Sequence, residues 1–182
     1  MRYVALLGGI NVGGHRVKMA ELRASFEALG FAEVATFIAS GNVLFASGHS
    51  DVPALEGQIE RQLGQALGYR VPVFLRTLEE LRAIAADEPF PDAAAGPGPH
   101  TLSVMFLAGP LPAAAQAALL ASGTAMDEFR IRGREIYWLC RGKTSDSLVN
   151  WTLLGKSLPL PPMTVRNITT IRKLVAKHAA TG

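Results

Sequence analysis

Residues 34–45 read V-A-T-F-I-A-S-G-N-V-L-F, and this stretch decides the fold. Two apolar runs rich in β-branched and aromatic side chains, 34–39 and 43–45, flank Ser40-Gly41-Asn42. Gly and Asn tolerate the positive φ of a tight turn, so the stretch predicts a β-hairpin. Upstream, Met19, Leu22, Phe26 and Leu29 share one face of a helix that Gly30 stops. Before that helix, residues 2–7 form a short apolar strand ending at Gly8-Gly9. Downstream, Leu55, Ile59, Leu63 and Leu67 recur every four residues and predict a helix over 53–67, ended by Gly68. A strand over 71–75 follows. A helix over 77–86 then begins at Thr77, with Glu80 at the capping-box spacing. The order is β-α-β-β-α-β with one further helix.

Residues 89–99, P-F-P-D-A-A-A-G-P-G-P, remove donors and break regular structure, so 89–100 reads as a linker. Beyond it the order starts again. Strands are expected over 102–107, 129–131, 136–139 and 164–168. Helices are expected over 113–121, 148–158 and 170–178, the last with Ile171, Leu174 and Val175 inward. Gly30 and Gly123, Gly41 and Gly133, Val73 and Val165, and Thr77 and Thr169 lie 92 or 93 positions apart. This register predicts an internal duplication. The fold class expected is α+β: a tandem pair of ferredoxin-like βαββαβ subdomains with antiparallel sheets, 1–88 and 101–182, joined by the linker.

One place breaks the repeat. Leu7 to Gly30 spans 23 positions and Leu107 to Gly123 spans 16. The first copy therefore carries about seven extra residues, within G-G-I-N-V-G-G-H-R-V-K (8–18). Added loops on a rigid scaffold are where function tends to sit. The glycines let backbone amides approach a ligand, and His15, Arg16 and Lys18 favour an anion. Gly9 and Gly14 match the glycine spacing of a phosphate-binding P-loop. His15 and Arg16 stand where its Lys and Ser/Thr belong, so that motif and the dinucleotide fingerprint are both rejected. Two readings stay open: a site for a phosphate or carboxylate, or a turn whose Ile10 and Val12 tuck into the core. Asn11 reads as a loop former in either.

Composition and the remaining residues narrow the chemistry. The chain has 182 residues, 49% hydrophobic and 18% charged, which excludes a disordered protein. One cysteine, Cys140, excludes a disulfide framework and reads as a buried inert thiol. The apolar start reads as a core strand, not a signal peptide, and no run is long enough to span a bilayer. A cytoplasmic protein without membrane contact is expected. Residues 1–122 hold 8 basic and 11 acidic side chains, and residues 123–182 hold 10 and 4. The basic end would suit an anionic partner, and more simply a solvated surface. His15, His49, His100 and His178 lack metal-ligand spacing, so no metal is expected, and no cofactor is implied. Exposed aromatics of the kind that stack on RNA are missing from the strands. Late in the chain, M-T-V-R-N-I-T-T (163–170) places Arg166 and Asn167 at a strand-to-helix junction. Arg166 would clamp an anion or pair internally, and Asn167 or Thr169 would cap the helix.

G-I-N-V-G-G (9–14), M-A-E-L (19–22), L-G (29–30), S-G-N-V (40–43) and the late T-V-R-N with Thr170 together resemble the bacterial family called domain of unknown function 1697. The resemblance spans nearly the whole chain and implies a two-subdomain α+β fold with ferredoxin-like halves. It implies no activity. The family pattern reads R-G-I-N-V-G-G, so Gly8 stands where an arginine is usual. Phe37 stands for a usual tyrosine, and Val165-Arg166-Asn167-Ile168 for T-R-N-W.

The function expected is binding of an anionic small ligand by Gly9, Asn11, Gly13, Gly14, His15, Arg16, Lys18, Ser40, Asn42, Arg166 and Asn167. Nucleic-acid binding through the basic second subdomain is the alternative. An enzyme is a third reading, with no nucleophile–base pair visible to support it.

Overall fold

The computed structural model describes residues 1–11, 14, 16–38, 41–92, 98–158 and 160–179. The expected site residues Gly13, His15 and Ser40, and Val12 of the loop, lie outside these. The chain forms two four-stranded antiparallel sheets. The first contains β1 (Arg2–Leu7), β2 (Ala32–Phe37), β3 (Asn42–Ala46) and β4 (Val73–Thr77), in the order β2-β3-β1-β4. Helices α1 (Met19–Glu27), α2 (Val52–Leu67) and α3 (Leu78–Ala86) accompany it. The second contains β5 (Thr101–Leu107), β6 (Asp127–Arg132), β7 (Glu135–Cys140) and β8 (Met163–Asn167), in the order β6-β7-β5-β8. Its helices are α4 (Ala113–Ala121), α5 (Trp151–Ser157) and α6 (Ile168–Ala179). Each half is a βαββαβ unit in which the strand from the hairpin slots between the two joined by the first helix, the split βαβ plan.

Local chemistry explains the element ends. Asp51 accepts from the Ala54 amide at the start of α2 (3.1 Å), and Gly68 ends it at φ 78°. Thr77 and Glu80 form the expected capping box: the Glu80 amide donates to Thr77 Oγ1 (3.1 Å) and the Thr77 amide to Glu80 Oε2 (2.7 Å). Thr77 is itself the last residue of β4, so the helix starts one place later than its cap. The fourth strand begins at Val73 and not Val71, because Pro72 has no amide to give a ladder; its carbonyl instead accepts from Gly8 (2.8 Å).

The register between halves corrects three of the sequence pairings. Thr77 lies opposite Tyr3, and Asn167 opposite Ser103; Val73 lies opposite Leu7, and Met163 opposite Leu107. The counterpart of Val73 is therefore Met163, not Val165, and that of Thr77 is Asn167, not Thr169. Gly41 accepts from the Leu7 amide as Arg134 accepts from Leu107, so Arg134, not Gly133, matches Gly41. Loop lengths differ between the halves, and a constant offset along the chain slips against the ladder.

The chain divides into two compact units, Met1–Ile84 with Leu174–Gly182, and Ala85–Lys173. The first unit buries Tyr3, Ala5 and Leu7 of β1 with Leu22 and Phe26 of α1 and Leu55, Ile59 and Leu63 of α2. Phe31 stacks on Phe45 within it (4.4 Å between centroids). The second unit buries Met105, Leu107, Leu119, Phe129, Ile136 and Trp138 with Leu154. Asp127 is its buried polar keystone, accepting from Thr124 Oγ1 (2.7 Å), Trp138 Nε1 (2.8 Å) and the Leu148 amide (2.9 Å). Burial alone would raise its pKa; these hydrogen bonds outweigh that and hold it below the usual carboxylate value. Among the described residues no helix is long and apolar enough to cross a membrane.

Candidate functional site

The segment between β1 and α1 is 8–18, against 108–112 between β5 and α4, so the first is six residues longer. It is anchored at both ends. Ile10 and Val17 are buried in the first core. Asn11, at φ 58°, accepts from the Val17 amide with Oδ1 (2.7 Å), which ties the two ends of the segment together. Gly9 and Gly14 also have positive φ, 67° and 89°. The reading of Ile10 as a core residue therefore holds. It does not compete with the anion reading, because the anchoring leaves Arg16 and Lys18 exposed on either side of buried Val17.

Lys18 is the N-cap of α1, and among the described residues no side chain caps that helix. Its first-turn amides thus lie beside two exposed cations, an arrangement that favours negative charge. The N-cap of α4, Pro112, also lacks a side-chain cap, but the segment 108–112, A-G-P-L-P, carries no charge.

The loop and the β2–β3 hairpin meet at Gly41. A Cβ there would run into Ile10 Cγ2 and Leu7 Cβ, and φ is 74°. Only glycine permits this approach. Ile38, at φ 50°, is a β-branched residue in the left-handed region, so backbone strain is stored in the same hairpin. Asn42 is buried and its Nδ2 donates to the Phe37 carbonyl (3.1 Å), bracing the hairpin from within. Gly8 is buried too; a Cβ there would sit 3.5 Å from Phe74 Cε2 and from Pro72 Cβ, ordinary contact distances.

Arg166 and Asn167 belong to the second unit. Asn167 caps α6, its Oδ1 accepting from the Thr169 amide (2.8 Å). Arg166 is buried and donates from Nη1 to Thr164 Oγ1 (2.8 Å) and to the Val165 carbonyl (2.9 Å). Burial pulls its pKa down to about 10. Sequence reading singled out Arg166 and missed its counterpart. Arg76 lies opposite Val4 as Arg166 lies opposite Val104, and it donates to the Leu75 carbonyl (2.7 Å) as Arg166 does to Val165. Arg76 is 1% exposed. The signal was present, an arginine in the last strand of each half, but the two-residue slip in the assumed register hid it.

A cavity of about 330 Å³ lies in the second unit, where Phe90, His100 and Leu102 face Asn167, Thr169 and Arg172 of the α6 start. Arg172 is held there by donating from Nε to the Ala85 carbonyl (3.1 Å). Among the described residues no group of three or more His, Cys, Asp or Glu is arranged to hold a metal ion.

The family model described as protein of unknown function (DUF1697) matches residues 1–137, which include the loop, the hairpin and six of the eight strands and reach into a seventh. The chain belongs to this family. A solved structure described as that of conserved bacterial protein SP0830 from Streptococcus pneumoniae is similar at 26% identity and a TM-score of 0.74, over 96% of this chain and 97% of that one. No curated protein matches. The family match and the shared fold agree with the two ferredoxin-like halves expected from the sequence.

Proposed function

We propose that this DUF1697 member is a cytoplasmic binding protein for a small anionic ligand bearing phosphate or carboxylate, held at the loop 8–18. One observation carries the reading: Arg16 and Lys18 stand exposed beside the uncapped first turn of α1, on a loop fixed by Asn11, Ile10 and Val17. Two cations and a helix N-terminus favour negative charge together, and the anchors at Ile10, Asn11 and Val17 reduce the ordering entropy spent on binding. The matched strand orders of the two sheets support an internal duplication, with the longer loop acquired by one copy. A lone buried cysteine suits a reducing compartment.

The nucleic-acid reading has less behind it. In the basic second unit Arg130 and Arg141 share Glu128, and Arg132 pairs with Asp87, so part of its positive charge is already met by carboxylates.

The test is a thermal shift of the full chain in phosphate, sulfate and phosphorylated metabolites against a chloride control at equal ionic strength. Mass action predicts a rise, equivalent to about 2.7 kcal/mol at a hundredfold excess over Kd. Arg16→Ala/Lys18→Ala should abolish the rise and leave the chloride Tm unchanged, since both side chains are exposed. An undiminished rise in that variant would defeat the proposal. An undiminished rise in Arg166→Ala would remove Arg166 from the site.

A further inference from the structure

The two fourth strands occupy the same place in their sheets, at the edge beside β1 or β5, and are finished differently. Val73 and Leu75 turn their amides outward from β4. Glu60 Oε1 accepts from Val73 (3.0 Å) and Glu56 Oε1 from Leu75 (2.7 Å). Both carboxylates come from one face of α2, four residues apart, and Glu80 takes the third outward amide, that of Thr77 (2.7 Å). The same helix lays Leu55, Ile59 and Leu63 over the sheet, so Leu75 is 0% exposed. The first sheet's edge is sealed by an amphipathic helix with acidic teeth, one way proteins blunt a strand edge.

On β8 the register puts Met163 and Val165 where Val73 and Leu75 stand. Their amides face outward and find no acceptor among the described residues. The helix that should cover them is α5, W-T-L-L-G-K-S, which has seven residues where α2 has sixteen. It carries no carboxylate and has Lys156 in its last turn. Val165, the counterpart of fully buried Leu75, is 43% exposed. The second half thus presents an apolar contact and two unmet donors at the spacing that α2 satisfies in the first half. The surrounding segment 123–182 has 10 basic and 4 acidic side chains.

We propose that the outer edge of β8 docks an acidic amphipathic helix of a partner protein. Its carboxylates, spaced i,i+4, accept the amides of Met163 and Val165, and its apolar face covers Val165. The occupant is argued from the chain itself: α2 is the solution to this same edge, and the excess of positive charge in the second half complements an acidic partner. The mode is helix docking at a sheet edge, with side-chain acceptors in place of a ladder.

The probe is a fluorescein-labelled peptide with the sequence of residues 51–68, titrated with the full chain and followed by anisotropy. Saturable binding is expected, weakened at least about fivefold when the peptide carries E56Q and E60Q. Val165→Glu in the protein should weaken it as much and Val165→Ile should not; Val165 is exposed, so both variants should fold. Hydrogen exchange should show new protection at the Met163 and Val165 amides. No saturation at millimolar peptide overturns the proposal. So does equal binding of the glutamine peptide or of Val165→Glu, or protection appearing at Val73 and Leu75 instead. A dimer of the free chain that Val165→Glu dissociates would assign the edge to a second copy and overturn it as well. The anion experiment at loop 8–18 is independent of every one of these outcomes.

Discussion

Gly41 and His178 show how much single residues carry here. Gly41 is the point where the extended loop touches the hairpin, at a φ of 74° and with Ile10 directly above. Gly41→Ala has to pay for the left-handed conformation, about 1–2 kcal/mol, and for displacing Ile10 and Leu7, about 1–3 kcal/mol more. Urea unfolding should report a loss of about 2–5 kcal/mol without a change in m. His178 is buried near the end of α6, and its Nε2 finds no partner among the described residues. Burial lowers its pKa below the ordinary 6.5, and Lys177 and Arg2 lower it further. The unfolded chain therefore binds the proton more readily than the folded one. The stability that neutral His178 contributes is complete above about pH 6.5 and is lost as pH falls from there through the depressed folded value. Stability measured from pH 7.5 to 5 should fall in the native chain and fall less in His178→Gln. Equal slopes would show that His178 titrates as it does when unfolded.

Among the elements, α2 and β4 make the clearest unit. Glu56 and Glu60 accept from edge amides that no other group among the described residues reaches, so their removal leaves buried donors unmet. Glu56→Ala and Glu60→Ala should each destabilise the chain by about 1–3 kcal/mol, seen as a lower urea midpoint, and should speed exchange of the Leu75 and Val73 amides respectively. Glu79, on the exposed side of α3 and paired among the described residues with Arg82, supplies the contrast: Glu79→Ala should cost less than about 0.5 kcal/mol. The helices and strands were themselves largely legible. The four-residue spacing of Leu55, Ile59 and Leu63, the Thr77–Glu80 box and the Gly68 stop are local signals, and each marks an element where it stands. The differences lie at the ends. The fifth helix starts at Trp151, later than the apolar run from Leu148 suggests, because Asn150 caps it by accepting from the Leu153 amide. The Leu148 amide is drawn instead to buried Asp127.

For the whole molecule, the division of the chain matters more than the linker. The Pro- and Gly-rich stretch marks 1–88 and 101–182 as the two subdomains, whereas the first compact unit also includes Leu174–Gly182 from the end of the chain. Leu174 is fully buried, Lys177 stacks its ammonium on Phe37 (5.6 Å), and Arg2 donates to the His178 carbonyl (3.5 Å). A fragment ending at residue 88 should unfold at a markedly lower temperature than the full chain. A peptide spanning 168–182 added in trans should restore part of the difference; calorimetry of the fragment with and without it decides.

The sequence by itself determined the order of elements, the antiparallel doubling and the place of the added loop. Each is written in short-range periodicity, caps and turn residues that act within a few positions. Which residues face one another was decided only in three dimensions. The ladder register shifts with every loop, so Arg76 matches Arg166 across an offset that no constant repeat predicts. The seal on β4 and the bare edge of β8 depend on how far a neighbouring helix reaches, and that distance is set by packing between segments remote in the chain.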